Sequence, residues 1–188
     1  MREASETRNR HELVVAVEQG ARPRYCFFWG HRASDGAGAG KWCLSQWWPA
    51  PFTEDGITYA SAEHYMMAGK ARLFRDDATL RQILVVPSPA AAKKLGRAVQ
   101  GFDESVWRKR RSELVVAGNL AKFDQHPELS AFLVAIAEDV IVEASPRDTI
   151  WGIGLGANNP AARDPRRWRG ENLLGFALME VRGRLRGG

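Results

Sequence analysis

A mainly α fold with a small β element, an α+β class in a single domain, is what this sequence predicts, and three observations predict it. From Ser61 to about Phe123, apolar residues recur at helical spacing behind recognisable caps. Strand-like runs are short and few: RYCFFWG (24–30), ITY (57–59) and DVIVEA (139–144). The 188 residues suffice for one real core and are too few for two comfortable ones.

Taken in order, residues 1–22 read as a peripheral segment in which Leu13, Val14 and Val17 allow a short helix, and residues 23–188 read as the domain. SDGAGAG (34–40) is a flexible loop, and KWCLSQWWPAPF is an aromatic segment broken by Pro49 and Pro51. EDG (54–56) is a turn, and the runs on either side of this region are expected to form the small sheet. Ser61 is placed to cap a helix to about Phe74, and a second short helix covers Asp76–Leu84. Ser88 as cap with Pro89 at the first helical position starts a third. Asp103 caps a long helix to about Phe123, with Trp107, Leu114, Val115 and Ala121 as its buried side. Pro127 opens another, with Leu129, Phe132, Leu133 and Ile136 in phase. A Gly-, Asn- and Pro-rich loop runs from Ser145 to about Gly170, and NLLGFALMEVRGRL is a closing helix.

The net charge of +5 and pI near 9.6 admit an anionic partner, but the charge is spread along the chain. Only six of the 27 basic residues are Lys, so composition explains part of the pI. Cys26 and Cys43 lie in apolar surroundings outside any CxxC pair and read as buried free thiols of a reducing compartment. No apolar run reaches the roughly 20 residues of a membrane span, and the N-terminal residues carry charges throughout. A cytoplasmic protein without membrane attachment is expected.

The stretch SAEHYMMAGK (61–70) holds three ionisable residues, Glu63, His64 and Lys70, on an apolar helix. Glu63 and Lys70 are seven residues apart, two turns less about 20°, so they share a face roughly 10 Å apart along the axis. Helical side chains lean toward the N-terminus, which brings Lys70 back toward Glu63. An amine of lowered pKa and a carboxyl make a nucleophile and a general acid/base. The same spacing also describes a solvated rim. WGIGLGANNP (151–160) has the glycines of a nucleotide loop, but Asn158, Asn159 and Pro160 follow where a helix should open, and Ala157 takes the third glycine position. The seven Trp, with Trp107 and Trp151 foremost, serve either as core or as stacking faces for a base. His11, His31, His64 and His126 show no metal-ligand spacing, no GxSxG is present, and Pro87-Ser88-Pro89 is too stiff for a helix-turn-helix.

Five blocks in order resemble the NADAR, or YbiA-like, family over about residues 25–183. They are LSQWWPAPFTEDGITYASAEHYMMAGKARLF, SPAAAKKLGR, VWRKRRSELVVAGNLAKF, VEASPRDTIWGIGLGANNP and the closing GENLLGFALMEVR. The resemblance implies a mainly helical fold of the family's own and an N-glycosidase that cleaves a ribose C1–nitrogen bond. Two substrate classes are implied: ADP-ribose joined to guanine in nucleotides or nucleic acid, and ribosylamino intermediates of riboflavin synthesis. No cofactor or metal is implied. The family's helix Glu and Lys fall on Glu63 and Lys70, with His64 in the same block. Its long-helix aromatic falls on Trp107, its Asp-x-x-Trp-Gly on Asp148, Trp151 and Gly152, and its later Asn on Asn172. The implied mechanism is attack of Lys70 on C1 to give a Schiff base, with Glu63 moving the protons. Trp107 and Trp151 would orient the base, and the 152–156 backbone, Gly154 included, would receive phosphates with Arg97. Two departures stand out. Ile153 replaces an Asp found in some members, leaving Asp148 as the nearest substitute, and Gln46 replaces the Asn of the opening block. A non-catalytic ADP-ribose or nucleic-acid reader is the alternative class.

Overall fold

The computed structural model describes residues 3–32 and 38–187. Residues 34–37 of the expected glycine loop lie outside the described residues. In chain order the elements are α1 (Arg10–Glu18), β1 (Tyr25–Phe28), β2 (Phe52–Glu54), β3 (Ile57–Tyr59), α2 (Ala62–Leu73), α3 (Asp77–Val85), α4 (Pro89–Arg97), α5 (Glu104–Asp124), α6 (Pro127–Ala135), β4 (Val140–Glu143) and α7 (Leu173–Gly187), with short 3-10 turns between. The class is α+β. The chain forms two compact units, Met1–Ser45 with Glu128–Gly188, and Gln46–Pro127.

In the first unit, β1 and β4 pair in parallel, with Tyr25 opposite Val140 and Phe28 opposite Glu143. Val140, Ile141 and Val142 are fully buried, as a continuous apolar run in a parallel pair requires. Helix α7 lies against β4, and Gly175 is what lets it approach, since a Cβ there would fall on the Ile141 carbonyl oxygen. Asn9 caps α1 by accepting from the Glu12 N–H, and Leu13 and Ala16 bury the inner side of that helix. Arg10 Nε donates to Pro165 O at 2.9 Å. The buried Arg182 guanidinium donates to Asp139 O and Ser5 O.

In the second unit, β2 and β3 form an antiparallel hairpin, with Phe52 opposite Tyr59. Asp55 and Gly56 turn it at φ values of 50° and 74°. Positive φ at both central residues matches the right-handed twist of the flanking strands, and Asp-Gly is the pair that tolerates it best. Helix α2 then packs against α3, α4 and α5. Asp76, Ser88 and Asp103 each cap the following helix through a side-chain oxygen.

Three expectations need correction. The runs 24–30 and 57–59 do not form one sheet: β1 pairs with β4, and β3 with β2. Hairpin closure across two residues is the local solution for β3, whereas β1 finds its partner more than a hundred residues away. Ser61 precedes α2 but does not cap it, because its hydroxyl bonds His64 Nδ1 instead. On α5, Leu114 and Ala121 are only half-buried, while Asn119, Lys122 and Phe123 are fully enclosed. Among the described residues no helix is long and apolar enough to cross a membrane.

Candidate active site

The solvated-rim reading of α2 fails on burial. Nine of its twelve residues are buried, among them Glu63 at 2% exposed and Lys70 at 9%. A helix enclosed almost all round belongs to a core, and ionised groups on it need a structural or chemical reason. The enclosure depends on glycines of neighbouring helices. A Cβ on Gly118 of α5 would meet the Tyr65 ring at 2.5 Å, and one on Gly96 of α4 would fall on the Met67 sulfur. Without those side chains, the backbones of α4 and α5 close over α2.

That approach sets the surroundings of Lys70. Its Nζ donates to Gly96 O at 2.7 Å. It sits 4.0 Å from the centroid of the Phe102 ring and 5.7 Å from that of Trp107. Phe102 is held edge-on by Phe74, with centroids 5.3 Å apart. Burial pushes the Lys70 amine below its ordinary range, and the Glu104 carboxylate partly opposes that shift. A neutral amine donating one proton to Gly96 O keeps its lone pair directed elsewhere, which is the state a nucleophile needs.

His64 is otherwise committed. It is 2% exposed, with Nε2 3.1 Å from Val86 O and Nδ1 2.8 Å from Ser61 Oγ. A carbonyl can only accept, so Nε2 carries the proton and Nδ1 accepts from the serine hydroxyl. Burial lowers the His64 pKa, with the Val86 bond opposing, and the ring is a neutral pin between α2 and the end of α3. Both ring nitrogens of His64, a residue expected to bind substrate, already have partners within the protein. Arg97 is exposed at the end of α4, and Trp107 is buried in the first turn of α5.

The remaining predicted residues belong to the first unit, and there the polar groups serve their own loop. Asp148 Oδ1 accepts from the N–H of Ile150 and of Trp151 at 2.9 and 2.8 Å. The Ile153 N–H donates to Glu143 O and the Gly154 N–H to Asp148 O, so these two donors of the expected phosphate-binding backbone are already used. Gly154 takes φ 66°, the one left-handed position among Gly152, Gly154 and Gly156. Gly152 O accepts from the Asn172 N–H. Asn172 itself is fully buried at φ 56°; its Oδ1 accepts from the Glu143 N–H and its Nδ2 donates to Ile141 O. Ile153 is fully buried, so the position of the family Asp is apolar core. Trp151 is half-buried.

Sequence reasoning missed Phe102, which stands in a loop with no periodic signal, and the buried amides of Gln46 and Asn119, which bond each other across 73 residues. Gly96 and Gly118 carried a signal, as glycines inside helical patterns, that was open to use.

With this geometry in hand, the comparisons are specific. Residues 27–186 match the family model described as NADAR domain. N-glycosidase R617 of Acanthamoeba polyphaga mimivirus is 40% identical over 164 residues, 85% of this chain and 95% of that protein. The NMR structure of Escherichia coli YbiA superposes with a TM-score of 0.66 at 29% identity, covering 87% of this chain and 86% of that one. The chloroplastic riboflavin biosynthesis protein PYRR of Zea mays is 33% identical over 141 residues, 71% of this chain and 21% of that protein.

Proposed function

The chain belongs to the NADAR family, and on that premise we propose that it removes ADP-ribose from guanine bases, in nucleotides or nucleic acid, by hydrolysing the ribose C1–nitrogen bond. The family and its N-glycosidase relatives make it a hydrolase acting on N-glycosyl bonds. The observation that carries the mechanism is Lys70: an amine buried in α2, depressed in pKa and oriented by one carbonyl and two aromatic rings.

Neutral Lys70 Nζ bonds to C1 as the C1–N bond to the base breaks. Glu63, on the same face of α2, gives its proton to the leaving nitrogen. The ring oxygen then departs from C1, taking a proton from the nitrogen side, and leaves an open-chain protonated imine. Glu63 as carboxylate removes a proton from water, which adds to C1. Breakage of the C1–Nζ bond frees the sugar and returns Lys70 to its amine form. Trp107, close to Nζ, supplies an aromatic wall for the base. The basic charge balance favours a substrate carrying phosphates.

Similarity to the maize riboflavin protein supports a second reading, in which a ribosylamino pyrimidine is cleaved by the same residues. One experiment separates them. The protein is incubated with guanine-ADP-ribosylated oligonucleotide, and free ADP-ribose is followed by mass spectrometry beside Lys70→Ala. Release by the native protein alone is the expected result. Release by Lys70→Ala at the native rate would refute the Schiff base. No release from the oligonucleotide, with cleavage of a ribosylamino pyrimidine, would select the second reading.

A further inference from the structure

Asn119 is fully buried in α5, and Gln46 is 7% exposed ahead of β2. Asn119 Nδ2 donates to Val115 O and to Gln46 Oε1, both at 2.8 Å. Val115 O is a carbonyl and can only accept, which fixes Nδ2 as the nitrogen. The oxygen of Gln46 must then be the atom facing it, so neither amide can be flipped. Two atoms are left over. Gln46 Nε2 and Asn119 Oδ1 are buried and have no hydrogen-bond partner among the described residues. Buried polar groups are otherwise satisfied almost everywhere in native proteins, and an orphaned donor beside an orphaned acceptor is destabilising in the free protein. The pair also stands beside the proposed chemistry, since the backbone oxygen of Gln46 accepts from the N–H of Glu63 at 2.9 Å.

We propose that Gln46 and Asn119 are specificity-determining residues that grip a neutral donor–acceptor group of the substrate nucleoside, Gln46 Nε2 donating to its oxygen and Asn119 Oδ1 accepting its proton. The inference rests on the N-glycosidase reading and names what that site recognises. The chemistry is that of a group which accepts and donates at the same or neighbouring atoms. A ribose hydroxyl near C1 has it, and so does the lactam edge of guanine. Charged groups do not fit: a phosphate offers Asn119 Oδ1 no proton, and an ammonium offers Gln46 Nε2 no lone pair. A site built on buried amides rejects an analogue lacking the matching group far more strongly than an apolar pocket does, because the amides are then left unpaired.

The test compares native protein with Gln46→Met and Asn119→Ala. Calorimetric titrations with ADP-ribose and with guanosine measure binding whether or not turnover occurs. In parallel, kcat/KM is measured on the ADP-ribosyl-guanine oligonucleotide, on its 2′-deoxyribosyl analogue and on its O6-methylguanine analogue. The native protein should disfavour one analogue by about a hundredfold or more. Both variants should shrink that ratio below about tenfold and weaken the matching ligand; Gln46→Met should melt no lower than native, and Asn119→Ala lower, because it leaves the Gln46 amide unpaired. Loss of discrimination at the sugar assigns the hydroxyl; loss at the base assigns the lactam edge. Equal affinities for both ligands in native and variant proteins would overturn the proposal. So would lowered melting temperatures with discrimination intact, which would mark the pair as structural. If no substrate is cleaved but the variants lose ligand affinity, the hydrolase reading of this substrate fails while the amide pair stands.

Discussion

Two regions of this molecule carry the residues that the sequence singles out, and they use their polar groups in opposite ways. On α2, Glu63 and Lys70 are enclosed on a helix whose own backbone is already satisfied, so their side chains are not needed to build it. Lys70 Nζ donates to the Gly96 carbonyl, and burial lowers its pKa. In the 148–172 loop, Asp148, Asn172 and the Ile153 and Gly154 N–H groups are bonded to the loop itself or to β4. An irregular segment has no ladder of its own, so its backbone must be satisfied piece by piece by side chains. Both regions present motif residues at fixed spacing; in the loop they hold the backbone together, and on α2 they are the ones we propose for the chemistry.

The largest effect should come from Lys70. Lys70→Met keeps the buried stem's volume and removes the amine. Turnover on the oligonucleotide should fall by on the order of 10³-fold or more, with melting temperature equal to or above native. Lys70→Arg should fail equally, since guanidinium stays protonated and is no nucleophile. Borohydride added during turnover should attach sugar mass to the native protein and not to either variant. A native-like rate for Lys70→Met would erase the contrast drawn between the two regions.

Asn172 should behave in the other way. Asn172→Ala leaves the Glu143 N–H and the Ile141 oxygen without their side-chain partner, and keeps a non-glycine residue at positive φ. A loss of about 2–4 kcal/mol in denaturant unfolding is expected, with kcat of the folded fraction little changed. A raised KM at native stability would return Asn172 to substrate contact. Gly118→Ala probes the packing that encloses α2. Its Cβ meets the Tyr65 ring, and about 1–3 kcal/mol should be lost, with kcat falling because α5 is displaced from Lys70. His64 gives a pH signature. Its folded pKa is lowered, so the unfolded chain binds more protons below the ordinary histidine range, and stability should fall as pH drops below about 6.5. Urea midpoints of native and His64→Gln proteins should diverge less at low pH than at neutral pH.

What the sequence made legible was local. Asp76, Ser88 and Asp103 cap through contacts within three residues, and each of these starts could be read directly. DVIVEA reads as a buried strand because its apolar run is short and β-branched. What was not legible depends on distant chain. The β1–β4 pairing has no local code, and Ser61 looks like any cap until His64, one turn on, competes for its hydroxyl. Spacing placed Glu63 and Lys70 on one face of α2, but their enclosure follows from Gly96 and Gly118 on other helices. The site residues carried by the resemblance were legible as positions. Which of them are tied up in their own loop needed the hydrogen bonds.

Glu104 offers the smallest and most discriminating test. It lies at the start of α5, half-exposed, and pairs with Arg108 at 2.9 Å and Arg111 at 3.8 Å. Its charge favours the ammonium form of Lys70 and opposes the lowering that burial imposes. If the neutral amine is the nucleophile and Glu63 must arrive protonated, kcat/KM should be bell-shaped in pH, with one limb set by the depressed Lys70 pKa and lying below the ordinary lysine value near 10.4. Glu104→Gln removes the opposing charge, so the Lys70 limb should move to lower pH and the maximal rate should change little. Raised salt screens the same exposed charge and should move the native limb in the same direction. An unmoved limb in Glu104→Gln would mean that the titrating group is not Lys70, whatever the absolute rates, because this substitution touches the amine only through its field.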